Sequence, residues 1–382
     1  MSDTSVLVWT GESGPQSVRW RSENGAAPPK RVVAVDDTTP ADTAYRLASE
    51  GTALVWQGDF QNARQLMNAL VRRIDRKPAK PRKPPPAPAT PVEAFNRHRM
   101  AQAQRAHTLG MLLIPVDPGH VIPLRRAPDV QQACEEVFGP ADEPYTVSLR
   151  ELLGLIGAHE WRRKGVQIAA LGERIHPHYG VFAPLRSDYL GLVAEAPLPA
   201  TGCALAFDIG TGTGVLATIL ARRGVERVVA TDRDARALAC ARENLTRLGL
   251  DGRVQIVETD LFPPGRAPLV VCNPPWVPAR PSSPLEHAVY DPDSRMLRGF
   301  LAGLAAHLAP QGEGWLLLSD LAEHLGLRSR SELESWIAAG GLQVVERIET
   351  RPTHPKAWDS SDPFHTARAA EVVSLWRLAA AG

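Results

Sequence analysis

The tetrapeptide Asn273-Pro274-Pro275-Trp276 follows the apolar run VVC and carries several hydrogen-bond acceptors in a rigid setting. Its two prolines fix the backbone and have no N–H, so the carbonyl oxygens of Asn273 and Pro274 can point outward. The Asn273 side chain adds a further carbonyl oxygen. The segment is therefore preorganised to accept hydrogen bonds. The alternative is a proline-rich turn with a partly buried tryptophan, because Asn-Pro is a turn signal in any protein.

A second candidate site lies in FDIGTGTGVLATILARRG, where Asp208 ends a predicted strand and Gly210, Gly212 and Gly214 form a turn before an apolar helix. Glycine lets the backbone turn tightly and approach a ligand, and the helix N-terminus offers free N–H groups. Such a turn after the first strand predicts a nucleotide-type ligand. With Ala217, the turn also satisfies the dinucleotide pattern G-x-G-x-x-G/A, which leaves a nicotinamide enzyme as an alternative.

Two further acids, Asp232 and Asp260, end the next two predicted strands. Either could be an ordinary helix N-cap. Together with Asp208 and the glycines, however, they resemble the class I S-adenosylmethionine (AdoMet)-dependent methyltransferases, whose D-x-G-x-G-x-G loop is matched by residues 208–214. The resemblance implies that the glycine loop holds the methionine part of AdoMet. It also implies that Asp232 accepts hydrogen bonds from the ribose hydroxyls and that Asp260 contacts the adenine amino group.

The NPPW tetrapeptide is similar to the (N/D/S)-P-P-(Y/F/W) motif of methyltransferases that modify a planar NH₂ group. This resemblance implies that the Asn273 side-chain oxygen and the Pro274 carbonyl accept the two amino hydrogens, while the Trp276 ring stacks against the planar group. These contacts would aim the nitrogen lone pair at the methyl group, and in-line transfer depends mainly on such alignment. The chemistry implied needs no metal.

The flanking segments resemble, in part, the protein-(glutamine-N5) methyltransferases. Upstream of the glycine turn, Tyr179 and Phe182 could line the AdoMet pocket or belong to the core. Near the C-terminus, Trp358 lies in the loop between the last two predicted strands. If these strands form a hairpin, the loop opens on the catalytic face and Trp358 could touch the acceptor.

The elements that must position these residues are short apolar strands alternating with helices from about residue 200, which is typical of a parallel sheet in an α/β fold. The strands are predicted at 203–208, 227–232, 254–260, 268–273, 314–320, 342–349 and 371–378. The family resemblance implies a Rossmann-like seven-stranded sheet with strand order 3-2-1-4-5-7-6, an antiparallel last strand and helices on both faces.

Four regions are expected along the 382 residues. The sequence pattern of residues 1–76 predicts a small α+β unit. Residues 77–91 are rich in proline, lysine and arginine, and such a composition favours an extended linker. Residues 92–175 predict a helical auxiliary or cap region, and residues 176–382 the methyltransferase domain.

The formal net charge of +1 excludes a polycation, yet residues 60–91 contain eight basic residues and one acidic residue. This segment, the basic strip, either contacts phosphates or is a solvated linker. No apolar run approaches the roughly 18 residues that span a bilayer, and no basic leader is present. We therefore expect a soluble, cytoplasmic protein without a membrane partner. The four cysteines lie far apart with no CxxC, so the sequence indicates neither a zinc site nor a disulfide framework.

These observations predict an AdoMet-dependent N-methyltransferase that acts on a planar NH₂ of a macromolecule. The acceptor would be a glutamine side chain of a translation protein or an exocyclic amine of an RNA or DNA base. One alternative is a nicotinamide-dinucleotide oxidoreductase, which leaves the NPPW tetrapeptide without a role. The other is a non-catalytic AdoMet-binding scaffold protein.

Overall fold

The computed structural model describes residues 5–11, 14–76, 88–185, 188–199, 204–353 and 359–381. Contacts divide the chain into two compact units. The N-terminal unit comprises Met1–Ala89 and Glu93–Glu160, and the C-terminal unit comprises Thr90–Val92 and Trp161–Gly382.

The N-terminal unit contains a six-stranded mixed sheet in the order β1-β2-β6-β5-β4-β3. Its strands are β1 (Val6–Gly11), β2 (Gly14–Trp20), β3 (Arg31–Val35), β4 (Thr52–Trp56), β5 (Leu112–Val116) and β6 (Tyr145–Ser148). The helices in this part of the chain are α1 (Ala41–Ser49), α2 (Phe60–Ile74), α3 (Pro91–Gly110), α4 (Gln131–Phe138) and α5 (Leu149–Lys164). A short 3₁₀ helix lies at Pro118–His120. All five residues of β4 are buried, as is typical of an inner parallel strand.

The expected division into a unit at 1–76 and a separate helical region at 92–175 differs from this arrangement. The predicted helices of the second region are present, but β5 and β6 also come from it and pair with β4 and β2 of the first. Both strands are only four or five residues long, and periodicity alone does not distinguish so short an apolar run from part of a helix. Of the expected linker 77–91, residues 77–87 lie outside the described part of the chain.

The C-terminal unit contains a seven-stranded sheet in the order β11-β10-β9-β12-β13-β15-β14, which is 3-2-1-4-5-7-6 when counted from β9. Its strands are β9 (Leu205–Ile209), β10 (Arg227–Asp232), β11 (Val254–Glu258), β12 (Ala267–Cys272), β13 (Leu308–Ser319), β14 (Leu342–Thr350) and β15 (Val373–Ala380). β15 is antiparallel to both of its neighbours, and β9 to β13 are parallel. The expected α/β class is confirmed.

Helices accompany this sheet: α6 (Asp188–Glu195), α7 (Val215–Arg222), α8 (Ala235–Arg247), α9 (Arg295–His307), α10 (Leu321–His324), α11 (Arg330–Ala339) and α12 (His365–Ala370). Short 3₁₀ helices lie at Ala169–Leu171, Pro284–Ala288 and Pro292–Ser294, and β7 (Val166–Ile168) pairs with β8 (Glu173–Ile175) in a separate hairpin.

Side chains of β13 show that both faces of the seven-stranded sheet are covered. Trp315 and Leu317 belong to an apolar cluster that includes α6 and α7, whereas Leu316 and Leu318 belong to a cluster that includes α9 and α11. Apolar residues at successive positions are typical of a parallel strand buried on two faces. Because β9 to β12 are parallel, their C-terminal ends share one edge, where open α/β sheets bind ligands.

Candidate active site

A cavity of about 730 Å³ lies at the C-terminal ends of β9 to β12. It brings together residues that are far apart in the sequence. Those on its wall that the sequence analysis singled out are Phe182, Gly210, Gly212, Asp232, Asp260 and Asn273. Further wall residues include Tyr189, Thr211, Thr213, Pro275, Tyr290, Asp291 and Arg295.

The turn after β9 holds its three glycines in the left-handed region, with φ of +75° at Gly210, +54° at Gly212 and +82° at Gly214. Few other residues adopt such angles without strain. A methyl group on Gly212 would meet no protein atom within 4 Å, whereas one on Gly210 would lie 2.5 Å from the Met296 Cε atom. The open space therefore lies at Gly212.

Asp208 is fully buried and ties the glycine turn to the start of α7. Its Oδ2 atom accepts hydrogen bonds from the Thr211 hydroxyl at 2.7 Å and from the Ala217 N–H at 3.1 Å. Its Oδ1 atom has no hydrogen-bond partner among the described residues. Burial raises the pKa of Asp208 to about 6. A cation or a hydrogen-bond donor placed near this carboxylate would stabilise its ionised form.

Asp232 ends β10 and lies on the cavity wall. Its Oδ2 atom accepts the Gly212 N–H at 3.1 Å and its Oδ1 atom the Asp234 N–H at 3.0 Å. Burial raises the pKa of this carboxyl above its ordinary value. The N-cap of α8 is Asp234, whose side chain accepts the Arg236 N–H, so the interpretation of Asp232 as a helix N-cap is wrong.

Asp260 follows β11 and is about half exposed. No helix begins directly after it, because residues 261–266 are not helical, so the N-cap interpretation fails here too. Its Oδ2 atom accepts a hydrogen bond from the Arg295 Nη2 atom at 2.6 Å, and both side chains border the cavity. The sequence analysis had not singled out Arg295, since nothing in the local pattern places α9 beside the end of β11.

Asn273 and Pro275 border the cavity directly after β12, while Pro274 is buried. Trp276 lies beside the cavity rather than on its wall, which differs from the expected stacking position. Its ring packs against both apolar clusters, and its Nε1–H donates to the Asn273 Oδ1 atom at 2.9 Å. Trp276 is partly buried, and a tryptophan in such a place commonly donates its N–H to an acceptor.

Among the aromatic candidates, Phe182 lies on the cavity wall and Tyr179 does not. The Tyr179 ring instead lies under the Arg236 guanidinium, at 5.7 Å from the ring centroid. Trp358 falls outside the described residues. Tyr189 of α6, which the sequence analysis missed, is 5% exposed and borders the cavity.

Asn244 of α8 is a further residue that the sequence analysis missed, and it supports the glycine turn from behind. It is 1% exposed, its Nδ2 atom donates to the Thr213 carbonyl at 3.1 Å, and its Oδ1 atom accepts the His176 N–H at 2.7 Å. A buried polar residue at a helix position facing the sheet is the signal that could have identified it.

Asp291 lies on the cavity wall and caps the start of α9. Its carboxylate accepts the N–H groups of Met296 and Leu297 at 2.9 and 3.2 Å. Burial raises the pKa of Asp291, while backbone N–H groups at the start of α9 donate hydrogen bonds to its carboxylate and lower the pKa in part. Asp291 therefore has a structural task in shaping the wall.

Among the described residues, no group of three or more His, Cys, Asp or Glu side chains could hold a metal ion. In the same part of the chain, every helix is too short or too polar to cross a bilayer.

Residues 173–327 match the family model described as "Methyltransferase small domain". This segment contains the glycine turn, both ribose- and adenine-side acids expected from the sequence, and the NPPW tetrapeptide. By this match, the segment is similar to AdoMet-dependent methyltransferase domains. The matched segment makes up the larger part of the C-terminal unit.

Three relatives share parts of the chain. A release factor glutamine methyltransferase of Cereibacter sphaeroides is 38% identical over 132 residues, which are 34% of this chain and 43% of the relative. A ribosomal protein L11 methyltransferase of Pelotomaculum thermopropionicum is 49% identical over 145 residues, 37% of this chain and 39% of the relative. A tRNA1(Val) (adenine(37)-N6)-methyltransferase of Vibrio parahaemolyticus is 36% identical over 99 residues, 24% of this chain and 40% of the relative. The chain thus spans about two fifths of the length of each relative.

Proposed function

We propose that the protein transfers the methyl group of AdoMet to a planar NH₂ group of a macromolecule. The observation that carries this proposal is that Asn273 borders the same cavity as Gly212 and Asp232. The side chain proposed to bind the amine and the loop proposed to bind AdoMet thereby border one cavity. Three relatives are named as a release factor glutamine methyltransferase, a ribosomal protein L11 methyltransferase and a tRNA adenine-N6 methyltransferase. These names support methyl transfer to a macromolecule.

The residues around the cavity fit AdoMet in charge and in space. The volume of 730 Å³ lies within the range of roughly 300–1,000 Å³ that is usual for ligand pockets. AdoMet carries a sulfonium and an ammonium group, and the carboxylates of Asp232 and Asp260 lie on the cavity wall. Asp208 is buried two residues before Gly210, which is on the wall. The unpartnered Oδ1 atom of Asp208 is suited to face positive charge. The strand order 3-2-1-4-5-7-6 supports the assignment further.

Each side chain has a distinct part in the proposed reaction. AdoMet, when bound, supplies an electrophilic methyl group. Asp232 holds the ribose hydroxyls, and Asp260, with Arg295 beside it, contacts the adenine. The Asn273 Oδ1 atom accepts a hydrogen bond from one hydrogen of the NH₂ group that is methylated. The Pro274 carbonyl oxygen accepts a hydrogen bond from the other. Rate enhancement then comes from alignment, which is worth several orders of magnitude in well-oriented reactions.

Two classes of acceptor remain as finer proposals. The partial resemblance to glutamine-N5 methyltransferases favours a glutamine of a translation protein. The basic strip favours RNA or DNA, because Arg64, Arg72 and Arg76 are exposed on or just after α2. A base would have to be unpaired or flipped out to reach Asn273. The expected cytoplasmic location and the absence of a membrane or metal partner stay predictions.

Labelled-methyl transfer into a cell extract tests the proposal and separates these acceptors. We expect AdoMet-dependent label in macromolecules, which protease releases if the acceptor is protein and nuclease releases if it is nucleic acid. Calorimetry should detect binding of AdoMet and none of NADH. Binding of NADH alone would favour the oxidoreductase alternative, and AdoMet binding without any labelled product would favour the scaffold alternative.

A further inference from the structure

Three side chains from two distant segments meet beside the cavity: Asn273 and Trp276 after β12, and Tyr189 of α6. The ring centroids of Tyr189 and Trp276 are 5.6 Å apart, with the planes inclined at 79° in an edge-to-face contact. The Trp276 Nε1–H donates to the Asn273 Oδ1 atom at 2.9 Å. Burial raises the pKa of Tyr189, and an interaction of its hydroxyl with the Asn273 side chain lowers it in part.

We propose that Trp276 and Tyr189 are positioning residues that fix the orientation of the Asn273 side-chain amide. This inference rests on the proposed methyl transfer and deepens it. It assigns to Trp276 a part other than stacking on the acceptor, and it assigns a part to Tyr189, which no sequence motif had indicated.

The orientation matters because an amide has one end that accepts and one end that donates hydrogen bonds. If the two ends of the Asn273 amide were exchanged by rotation about χ2, an amino acceptor would face an NH₂ group instead of an oxygen. Two donors would then point at each other, and the acceptor amine would lose a hydrogen bond on which its alignment depends.

The two aromatic side chains select the same orientation of the Asn273 amide, one through its oxygen end and the other through its NH₂ end. An indole N–H only donates, so Trp276 can pair only with the oxygen end of the amide. Oδ1 keeps a second lone pair for an incoming N–H. A tyrosine hydroxyl can accept, so Tyr189 can pair with the Nδ2 end. Burial raises the pKa of Tyr189, so its hydroxyl stays neutral at physiological pH.

The edge-to-face contact links the two positioning residues. Tyr189 is 5% exposed, and both rings pack in the apolar cluster that includes α6 and α7. Side chains held by such packing lose little further freedom when they form a hydrogen bond. The amide orientation is therefore set before any acceptor arrives.

Tyr189→Phe and Trp276→Phe test the proposal, because each keeps an aromatic ring and removes one polar group. We expect each variant to lower kcat for methyl transfer by about five- to tenfold, the equivalent of one lost hydrogen bond. The dissociation constant for AdoMet should stay within about twofold of the unsubstituted protein. Tyr45→Phe, on α1 of the N-terminal unit, is the matched control and should change neither value.

The Asn273→Asp background separates positioning from a general structural role. A carboxylate has two equivalent oxygens, so it has no orientation to fix. Aspartate also occurs at this position in the motif that NPPW resembles, so residual activity is expected. Tyr189→Phe should then have no further effect on kcat. An equal loss in both backgrounds, or no loss in either, would overturn the proposal.

A spectroscopic readout makes the test independent of activity. The two Nδ2 proton signals of Asn273 can be assigned by their loss in Asn273→Asp. In the ligand-free protein we expect slow exchange with solvent, and faster exchange in Tyr189→Phe and in Trp276→Phe. Unchanged signals in both variants would refute the positioning role. Absence of methyl transfer by the unsubstituted protein would refute the proposed function alone, since the amide signals would still report on the orientation.

Discussion

Carboxylates are the main charged groups at the cavity, and the protein neutralises them only in part. Asp260 is paired with Arg295. Asp208 is buried without a cationic partner and with one oxygen free of any donor among the described residues. Burial of this kind raises the pKa of the carboxyl, and a nearby cation lowers it again. AdoMet binding should therefore be coupled to the ionisation of Asp208.

The affinity for AdoMet should consequently fall as the pH is lowered through the Asp208 pKa of about 6. Below this pH the carboxyl is mostly protonated, so binding of a cation has to release a proton, whereas above it the carboxylate is already ionised. The expected loss is up to about tenfold per pH unit, measured by calorimetry. Asp208→Asn should bind AdoMet more weakly at neutral pH and flatten this dependence. A pH profile identical in the two proteins would contradict the coupling.

Single residues at strand ends could be predicted from the sequence, but side-chain directions could not. Asp232 and Asn273 were identified because their types at the ends of parallel strands suit a ligand. The hydrogen bond from Trp276 to Asn273 was not predicted, since it depends on how the indole packs between two apolar clusters. Tyr189 carries no motif at all, and only the path of α6 brings it to the cavity.

The turn between β9 and α7 combines left-handed glycine conformations with open space beside Gly212. Gly212 has a φ of +54° and room for a methyl group. Gly249, which follows α8 and does not border the cavity, has a φ of +68° and similar room. The two glycines therefore make a matched pair that differs in the proposed ligand contact.

Gly212→Ala and Gly249→Ala should each destabilise the protein by about 1–2 kcal/mol, because alanine is strained in the left-handed region. Only Gly212→Ala should weaken AdoMet binding by more than about tenfold, since its methyl group would enter the space assigned to the ligand. Thermal unfolding and calorimetry would measure the two effects. Equal AdoMet affinity in both variants would contradict the placement of the cofactor at this turn.

Elements of the C-terminal unit could be predicted because strand and helix alternate there with clear periodicity. The sheet of the N-terminal unit was harder to predict from the sequence. It combines the strands β1, β2, β3 and β4 with two short strands, β5 and β6, that come dozens of residues after α2. Pairing between distant segments leaves no local signal, so β5 and β6 were assigned to a helical region.

At the scale of the whole molecule, a net charge of +1 hides an uneven distribution. Within the described part of the basic strip, Arg73 is paired with Asp42, while Arg72 and Arg76 are exposed. The composition alone predicted the strip, whereas the structure distinguishes the arginine that is engaged in the fold from those that face solvent.

If the acceptor is RNA, binding of a single-stranded RNA probe should weaken steeply between about 50 and 200 mM salt. Arg72→Ala with Arg76→Ala should reduce the slope of log K against log salt by about 1.4, or roughly 0.7 for each lost phosphate contact. Arg46→Ala, on α1 outside the strip, should leave the slope unchanged. A flat salt response of the unsubstituted protein would favour a protein acceptor.

The most direct test of the proposed chemistry compares methyl transfer and AdoMet binding in Asn273→Ala. Loss of the aligned acceptor oxygen should lower kcat by about 100-fold or more. The AdoMet dissociation constant should change by less than about twofold, because the side chain acts on the acceptor. Asn24→Ala, at an exposed position of the N-terminal unit, should alter neither quantity. An Asn273→Ala variant that transfers methyl groups at the rate of the unsubstituted protein would contradict the proposed function of the NPPW segment.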